Sequence, residues 1–247
     1  MRYGILGDIH GNLEAFEAVL EVARQEGVEQ YVCIGDVVGY NANPSECLRL
    51  LRELKPVAIV KGNHDDYVSN GKDTIGFNPL AAQAVEWTRG QLSQEELDWL
   101  AALEFTQMVS VPGFGRFQVV HATLDNPRGW GYIFDRYSAE TCMTYQRFPL
   151  CFVGHTHVPV MFDKSGPEVR GGFYEEVRLE PNHKYLFNVG GVGQPRDGDP
   201  RASFAIFDSD ERKVTLHRVE YDIAEAQRRI LAAGLPQRLA DRLAQGR

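Results

Sequence analysis

The sequence contains no apolar run approaching the ~20 residues of a membrane-spanning helix, so no membrane partner is expected. Cysteine is scarce. The four present, Cys33, Cys47, Cys142 and Cys151, show no C-x-x-C spacing, and Cys33 and Cys151 sit in apolar runs. That pattern suits reduced, buried thiols in a cytoplasmic protein better than a disulfide framework. Basic residues are outnumbered, 26 Lys and Arg against 34 Asp and Glu, for a formal net charge of −8. Bulk binding to nucleic acid, which rests on dense positive charge, is therefore not expected. A G-x-G-x-x-G fingerprint, low-complexity segments and long internal repeats are missing too. The first strand-like run begins at Arg2 or Tyr3 and reaches a polar cluster by Asp8, so no signal peptide is read here.

What is there suffices for one substantial core: 247 residues, 43% of them hydrophobic. Histidine is the informative residue. Of seven, five fall in short motifs that each follow an apolar run: Gly7-Asp8-Ile9-His10-Gly11, Gly62-Asn63-His64-Asp65, Val120-His121-Ala122 and Gly154-His155-Thr156-His157. Gly35-Asp36 is a further motif of the same kind. Polar residues directly after buried strands are where parallel α/β sheets build sites. Carboxylates, an amide and imidazoles without cysteine form an oxygen and nitrogen set suited to divalent transition metals. One ion cannot use them all. Asp36, the one acidic group of its motif, is the candidate bridge between two ions, and two ions ~3.5–4 Å apart suit in-line phosphoryl displacement.

Taken in series, D-x-H, G-D, G-N-H-D, a lone H and G-H-x-H, these motifs resemble the calcineurin-like metallophosphoesterases, over roughly residues 2 to 210. The resemblance implies Asp8, His10 and His157 on a first metal, Asn63, His121 and His155 on a second, and Asp36 between them. It implies that His64 contacts the phosphate or protonates the leaving oxygen. The implied fold is α/β, a four-layer αββα sandwich of two mixed sheets flanked by helices. Manganese, iron, zinc or nickel would suit the histidine content.

Along the chain, three strand–loop–helix steps end at Asp8, Asp36 and Asn63, with Asn12 and Ser45 as helix caps, and imply a largely parallel sheet. Residues 66–104 turn helical, with Ser93 and Glu96 as a capping box, and form an insert in one domain spanning 1–247. A hairpin around Pro112–Gly115 delivers His121. The aromatic loop 123–135 reads either as a lid or as a small core of its own. Runs at 158–163, 176–179, 184–189, 202–207 and 214–221 read as antiparallel strands of a second sheet, and 222–247 as a helical appendage. His183 and His217 read as surface or edge-strand residues.

The reaction expected is hydrolysis of a small phosphoester by a hydroxide held between two metals, with Asn63 stabilising the phosphoryl oxygens and His64 assisting departure. Protein phosphatases and dinucleoside tetraphosphate hydrolases of the family carry G-D-x-x-D-R-G. This chain has Gly35-Asp36-Val37-Val38-Gly39-Tyr40 instead. Loss of that arginine favours a phosphodiester, with one negative charge fewer than a monoester dianion; a phosphomonoesterase, a dinucleoside polyphosphate hydrolase and a non-catalytic metal-binding scaffold are the alternatives. Arg128, Arg196 and Tyr40 are the candidate substrate contacts.

Overall fold

The computed structural model describes residues 1–71, 73–74 and 77–247. Strand β1 (Arg2–Leu6) leads into α1 (Leu13–Gln25), β2 (Gln30–Cys33) into α2 (Pro44–Glu53), and β3 (Ala58–Ile59) into α3 (Asn63–Ser69). Helices α4 (Pro79–Gln91) and α5 (Gln94–Ala101) precede the hairpin of β4 (Thr106–Val111) and β5 (Gly115–Val120). Helix α6 (Arg136–Tyr145) is followed by β6 (Leu150–Val153), β7 (Val160–Ser165), β8 (Glu168–Gly172), β9 (Glu176–Arg178) and β10 (Lys184–Asn188). Strands β11 (Ala202–Asp208) and β12 (Lys213–Val219) and helices α7 (Ile223–Ala232) and α8 (Gln237–Leu243) complete the order.

Two six-stranded mixed sheets result, in the orders β3-β2-β1-β11-β12-β9 and β4-β5-β6-β10-β7-β8. Between them lies an apolar layer that includes Tyr3, Ile5, Phe117, Phe152, Phe187 and Phe207. On the outer face of the first sheet, Phe16 and Val19 of α1 and Leu48 and Leu51 of α2 pack with Leu6, Phe204 and Ile206. Residues 204 and 206 thus face helices while 205 and 207 face the other sheet, as the two-residue period of a strand requires. Cys142 and Met143 of α6 cover Cys151, Phe162 and Leu186 of the second sheet. Helix, sheet, sheet, helix is the four-layer order expected. All four cysteines are buried and free, and among the described residues no helix is long and apolar enough to cross a membrane.

Local signals hold well where a side chain fixes the boundary. Asn12 accepts the Ala15 amide at 3.1 Å and starts α1, and Ser93 and Glu96 form their reciprocal box. Ser45 is not a cap. Pro44, whose fixed φ and missing N–H suit a first helical position, starts α2 two residues before a cap at Ser45 would, with Asn43 in the cap position.

The assignment of late strands to a second sheet is corrected. Strands β9, β11 and β12 belong to the first sheet, where β11 runs antiparallel to β1 with Phe207 opposite Tyr3. Every residue of β11 is buried. A strand buried on both faces sits inside a sheet and has two neighbours, and the apolar run does not say which. Strand β8 was not anticipated, because its polar, exposed sequence carries no apolar alternation; the backbone of β7 supplies its pairing. His217 lies on β12, inside the β9 edge, half-buried and 5.1 Å from the Phe204 ring.

Candidate metal centre

Six strands that run parallel within their sheets, β1, β2 and β3 in one and β5, β6 and β10 in the other, end around a common cluster of polar side chains. Asp8 and His10 follow β1, Asp36 follows β2, Asn63 opens α3, His121 follows β5, and His155 and His157 follow β6. All seven are buried. Asp8, His10, Asp36 and His157 form one group and Asp36, His121 and His155 another, the candidate ligand atoms within each group lying within 4.8 Å of one another. Asp36 is common to both. Asn63 joins the second group, its Oδ1 3.1 Å from His121 Nε2.

The backbone that holds them is strained. Asp8, His10, Asp36, His155 and His157 have φ of 52°, 50°, 52°, 67° and 59°, a left-handed conformation that costs about 1–2 kcal/mol per non-glycine residue. Neighbouring loops hold it in place. The Asp8 amide donates to the Gly35 carbonyl at 3.0 Å and the His10 amide to that of Asp36 at 2.9 Å, so the loop after β1 lies along the loop after β2. A side chain at Gly62 would collide with the Asp36 carboxylate and amide, which explains the glycine before Asn63 on grounds of space.

Each imidazole is oriented by a backbone carbonyl. His10 Nδ1 faces Val38 O at 3.0 Å, His121 Nδ1 faces Ile34 O at 2.8 Å and His157 Nδ1 faces Gln194 O at 2.5 Å. His155 uses Nε2 instead, 3.0 Å from Trp130 O. Carbonyls only accept, so these four nitrogens carry the protons and donate. In a neutral ring the other nitrogen then carries a lone pair. Those lone-pair positions converge: His10 Nε2 lies 3.1 Å from His157 Nε2, and His157 Nε2 lies 3.2 Å from Asp8 Oδ1. Carbonyl-oriented rings with bare nitrogens aimed at carboxylates are what a divalent ion requires.

Burial pushes the His155 ring down to about 3 and lowers His10 and His157 as well, keeping them in the neutral, ligating form. His121 differs. Burial opposes its charge, but the carboxylates of Asp36 and Asp8 overcome this and push it up to about 9. Burial likewise works against the charge on Asp36, and the imidazoles of His121 and His64 outweigh it, holding that carboxyl well below its ordinary range. Two buried carboxylates demand positive charge at the centre of this cluster.

The profile of the calcineurin-like phosphoesterase superfamily domain matches residues 1–212. The chain belongs to that superfamily. It is a phosphoesterase, a hydrolase of ester bonds. A metallophosphoesterase from Sphaerobacter thermophilus is 41% identical, with 100% of this chain and 99% of that one covered at a TM-score of 0.86. An uncharacterized protein of Methanocaldococcus jannaschii is 39% identical over 98% of this chain and 97% of its own length. Phosphodiesterase YfcE of Escherichia coli is 25% identical over 85% of this chain and 89% of its own.

Around the calcineurin-like cluster the other candidate residues separate. Tyr40 lies against it, its ring 4.4 Å from His64 and 4.7 Å from His10. Arg196 stands over Tyr40, 5.5 Å from the ring centre. Arg128 does not join them: it lies 4.5 Å over Phe105, on the wall of a cavity of about 990 Å³ whose lining includes Lys61, Asp66 and Asn126 but none of the seven candidate ligands. The aromatic loop divides between its two readings. Ile133 is buried against α6, whereas Tyr132, half-exposed, stacks on His155 at 4.3 Å. Beyond α3, Phe77 stands 5.9 Å from His64.

Two residues that pattern reading left without a role organise the site. The Asp65 carboxylate accepts the amides of Asp36, Val37, Val38 and Gly62 at 2.8, 2.9, 3.3 and 3.0 Å. Burial and the Asp36 charge push this carboxyl up, while its four amide donors favour the anion. Gly39, with φ of 97°, lies so close to His64 that a Cβ would stand 2.5 Å from Nδ1, a buried nitrogen with no hydrogen-bond partner among the described residues. Gly39 is where G-D-x-x-D-R-G has its first aspartate after the G-D pair.

Proposed function

We propose that the protein is a phosphodiesterase that uses two divalent metal ions. Asp8, His10, Asp36 and His157 hold the first, and Asp36, Asn63, His121 and His155 the second. The single observation that carries this reading is the convergence of carbonyl-oriented imidazoles on the shared Asp36 carboxylate. The donors fit in kind, being imidazole nitrogens, an amide oxygen and carboxylate oxygens without thiolate. Bound there, the ions would supply Lewis-acid charge for the phosphoryl oxygens and lower the pKa of the attacking water.

The chain's own residues do the rest. The Asp36 Oδ1 atom accepts the His64 amide at 2.8 Å, which fixes the start of α3 and with it both Asn63 and His64. The Asn63 amide group orients a phosphoryl oxygen. Burial pushes His64 down to about 4, so its ring is neutral at physiological pH and contacts the substrate as a hydrogen-bond donor on the leaving side. The phosphodiester preference is supported by Gly39 and Tyr40 in place of the aspartate and arginine, and by the likeness to a protein named as a phosphodiesterase. Manganese, iron, zinc and nickel are the ions we favour. The four buried free thiols suit a cytoplasmic location.

The test is turnover of bis-p-nitrophenyl phosphate and p-nitrophenyl phosphate by metal-stripped protein with manganese, nickel, zinc or magnesium restored singly. Faster cleavage of the diester is expected. A monoester preference overturns the substrate class, and silence with every ion overturns the reaction.

A further inference from the structure

Beside the first group of candidate ligands, the loop after β10 and the C-terminal helix each carry an arginine, Arg196 and Arg242, that no Asp or Glu side chain pairs with among the described residues. Arg196 is fixed there. Its guanidinium donates to Gln194 Oε1 at 3.0 and 3.3 Å, and its amide donates to the His157 carbonyl at 3.2 Å. An amide oxygen orients a guanidinium without neutralising it. The Tyr40 ring beneath Arg196 packs with Leu239, Ala240 and Leu243 of α8, and Gly198 donates to Gly246 O at 3.0 Å, tying the Arg196 loop to the end of that helix.

Arg242 lies on α8 between these contacts, half-buried. Burial disfavours its charge, and so do the nearby Arg196 and Arg238 guanidinia, while Tyr40 favours it. Other arginines of this region are neutralised, Arg201 by Asp199 and Arg218 by Asp197. Among the described residues neither Arg196 nor Arg242 pairs with an Asp or Glu side chain; Arg242 Nε donates to Arg247 O at 2.7 Å, which leaves its terminal nitrogens for another acceptor. In a chain of net charge −8 there is no shortage of carboxylates to supply one. Two half-buried guanidinia oriented by an amide oxygen and the Arg247 oxygen rather than by Asp or Glu side chains are preorganised for an anion, and planar forked donors match phosphate oxygens.

We infer that Arg196 and Arg242, arranged around Tyr40, bind a second phosphate of the substrate, distinct from the scissile phosphoester. This deepens the phosphodiesterase reading and rests on it: the substrate class becomes a phosphodiester with a phosphate on one arm. Arg196 is then the inner contact, beside the centre, and Arg242 the outer one. It also gives the C-terminal helix a place in substrate choice.

The experiment is calorimetric titration of pyrophosphate into metal-stripped wild type, R196Q and R242Q at low ionic strength, where exposed charge is least screened. Wild type should bind, and each variant should bind at least about tenfold more weakly, the loss expected when one member of a charge-assisted contact is removed. Thermal melts check that the variants are folded; if R242Q melts early, R242K, which keeps the charge without the fork, replaces it and should also bind more weakly. Absence of binding by wild type, or equal binding by a folded Arg242 variant, overturns the inference. Bis-p-nitrophenyl phosphate carries no second phosphate, so its turnover by metal-restored wild type tests the phosphodiesterase reading alone.

Discussion

The Asp65 carboxylate accepts the backbone amide of Asp36 at 2.8 Å, so a buried acid that is not a candidate ligand fixes the loop carrying the shared one. Replacing it with Asn puts an NH₂ group among four amide donors. We expect Asp65→Asn to lose about 3 kcal/mol of stability, the scale for a buried group left wrongly paired. Urea unfolding measures this, and a loss below about 1 kcal/mol would contradict the role given to the four bonds.

Asp36→Asn tests the shared carboxylate directly. One anionic oxygen is exchanged for a neutral amide nitrogen that cannot ligate. Turnover should fall at least about a thousandfold, roughly 4 kcal/mol of transition-state stabilisation, and the metal content of purified protein should fall with it. Near-normal turnover would sink the bridging assignment.

Gly39→Ala separates chemistry from metal binding. A Cβ at this position, 2.5 Å from His64 Nδ1 and on a backbone of φ 97°, must displace the ring. We expect kcat to drop about 10–100-fold, the range for misplacing a general acid–base group, with two ions per chain retained. Loss of the ions in proportion to kcat would show instead that the loop as a whole had moved.

His217 sets a pH dependence away from the centre. Burial lowers its pKa in the folded protein, whereas in the unfolded chain it lies near about 6.5. Below that value the unfolded state binds more protons, so this contribution is complete above about pH 6.5 and stability falls as pH drops towards the folded value. Denaturation midpoints between about pH 7 and about pH 5 should therefore fall more steeply for wild type than for His217→Gln. Parallel pH profiles would contradict it.

The candidate centre was legible because each candidate ligand sits one to four residues beyond an apolar strand, and short polar motifs survive translation into geometry almost unchanged. Asp8, His10, Asp36, Asn63, His121, His155 and His157, the set implied by the motif series, lie together in the structure. Arg128 and Arg196 looked alike in sequence. They part because Arg128 is drawn onto Phe105 while Gln194 turns Arg196 towards Tyr40, and neither contact leaves a local pattern. Asp65 was visible only as a motif letter, since its work is done on backbone amides. Among the strands, alternation and apolar runs located β11, but its pairing with β1 joins residues about two hundred apart, a relationship set by the packing of the whole sandwich.

That pairing has a consequence for how the chain is made. Strand β1, which carries Asp8 and His10 after its end, is synthesised well before one of its two partners, β11, which lies about two hundred residues further along the chain. Until residue 208 is available, the interior strand of the first sheet has an open edge of unpaired amides and carbonyls. Co-translational folding would then stall at an assembly of β1, β2 and β3, and late strand insertion would limit the rate, as non-local pairing does generally. Truncation between β10 and β11 should yield a chain that aggregates through that edge, a hazard the finished protein hides in its interior.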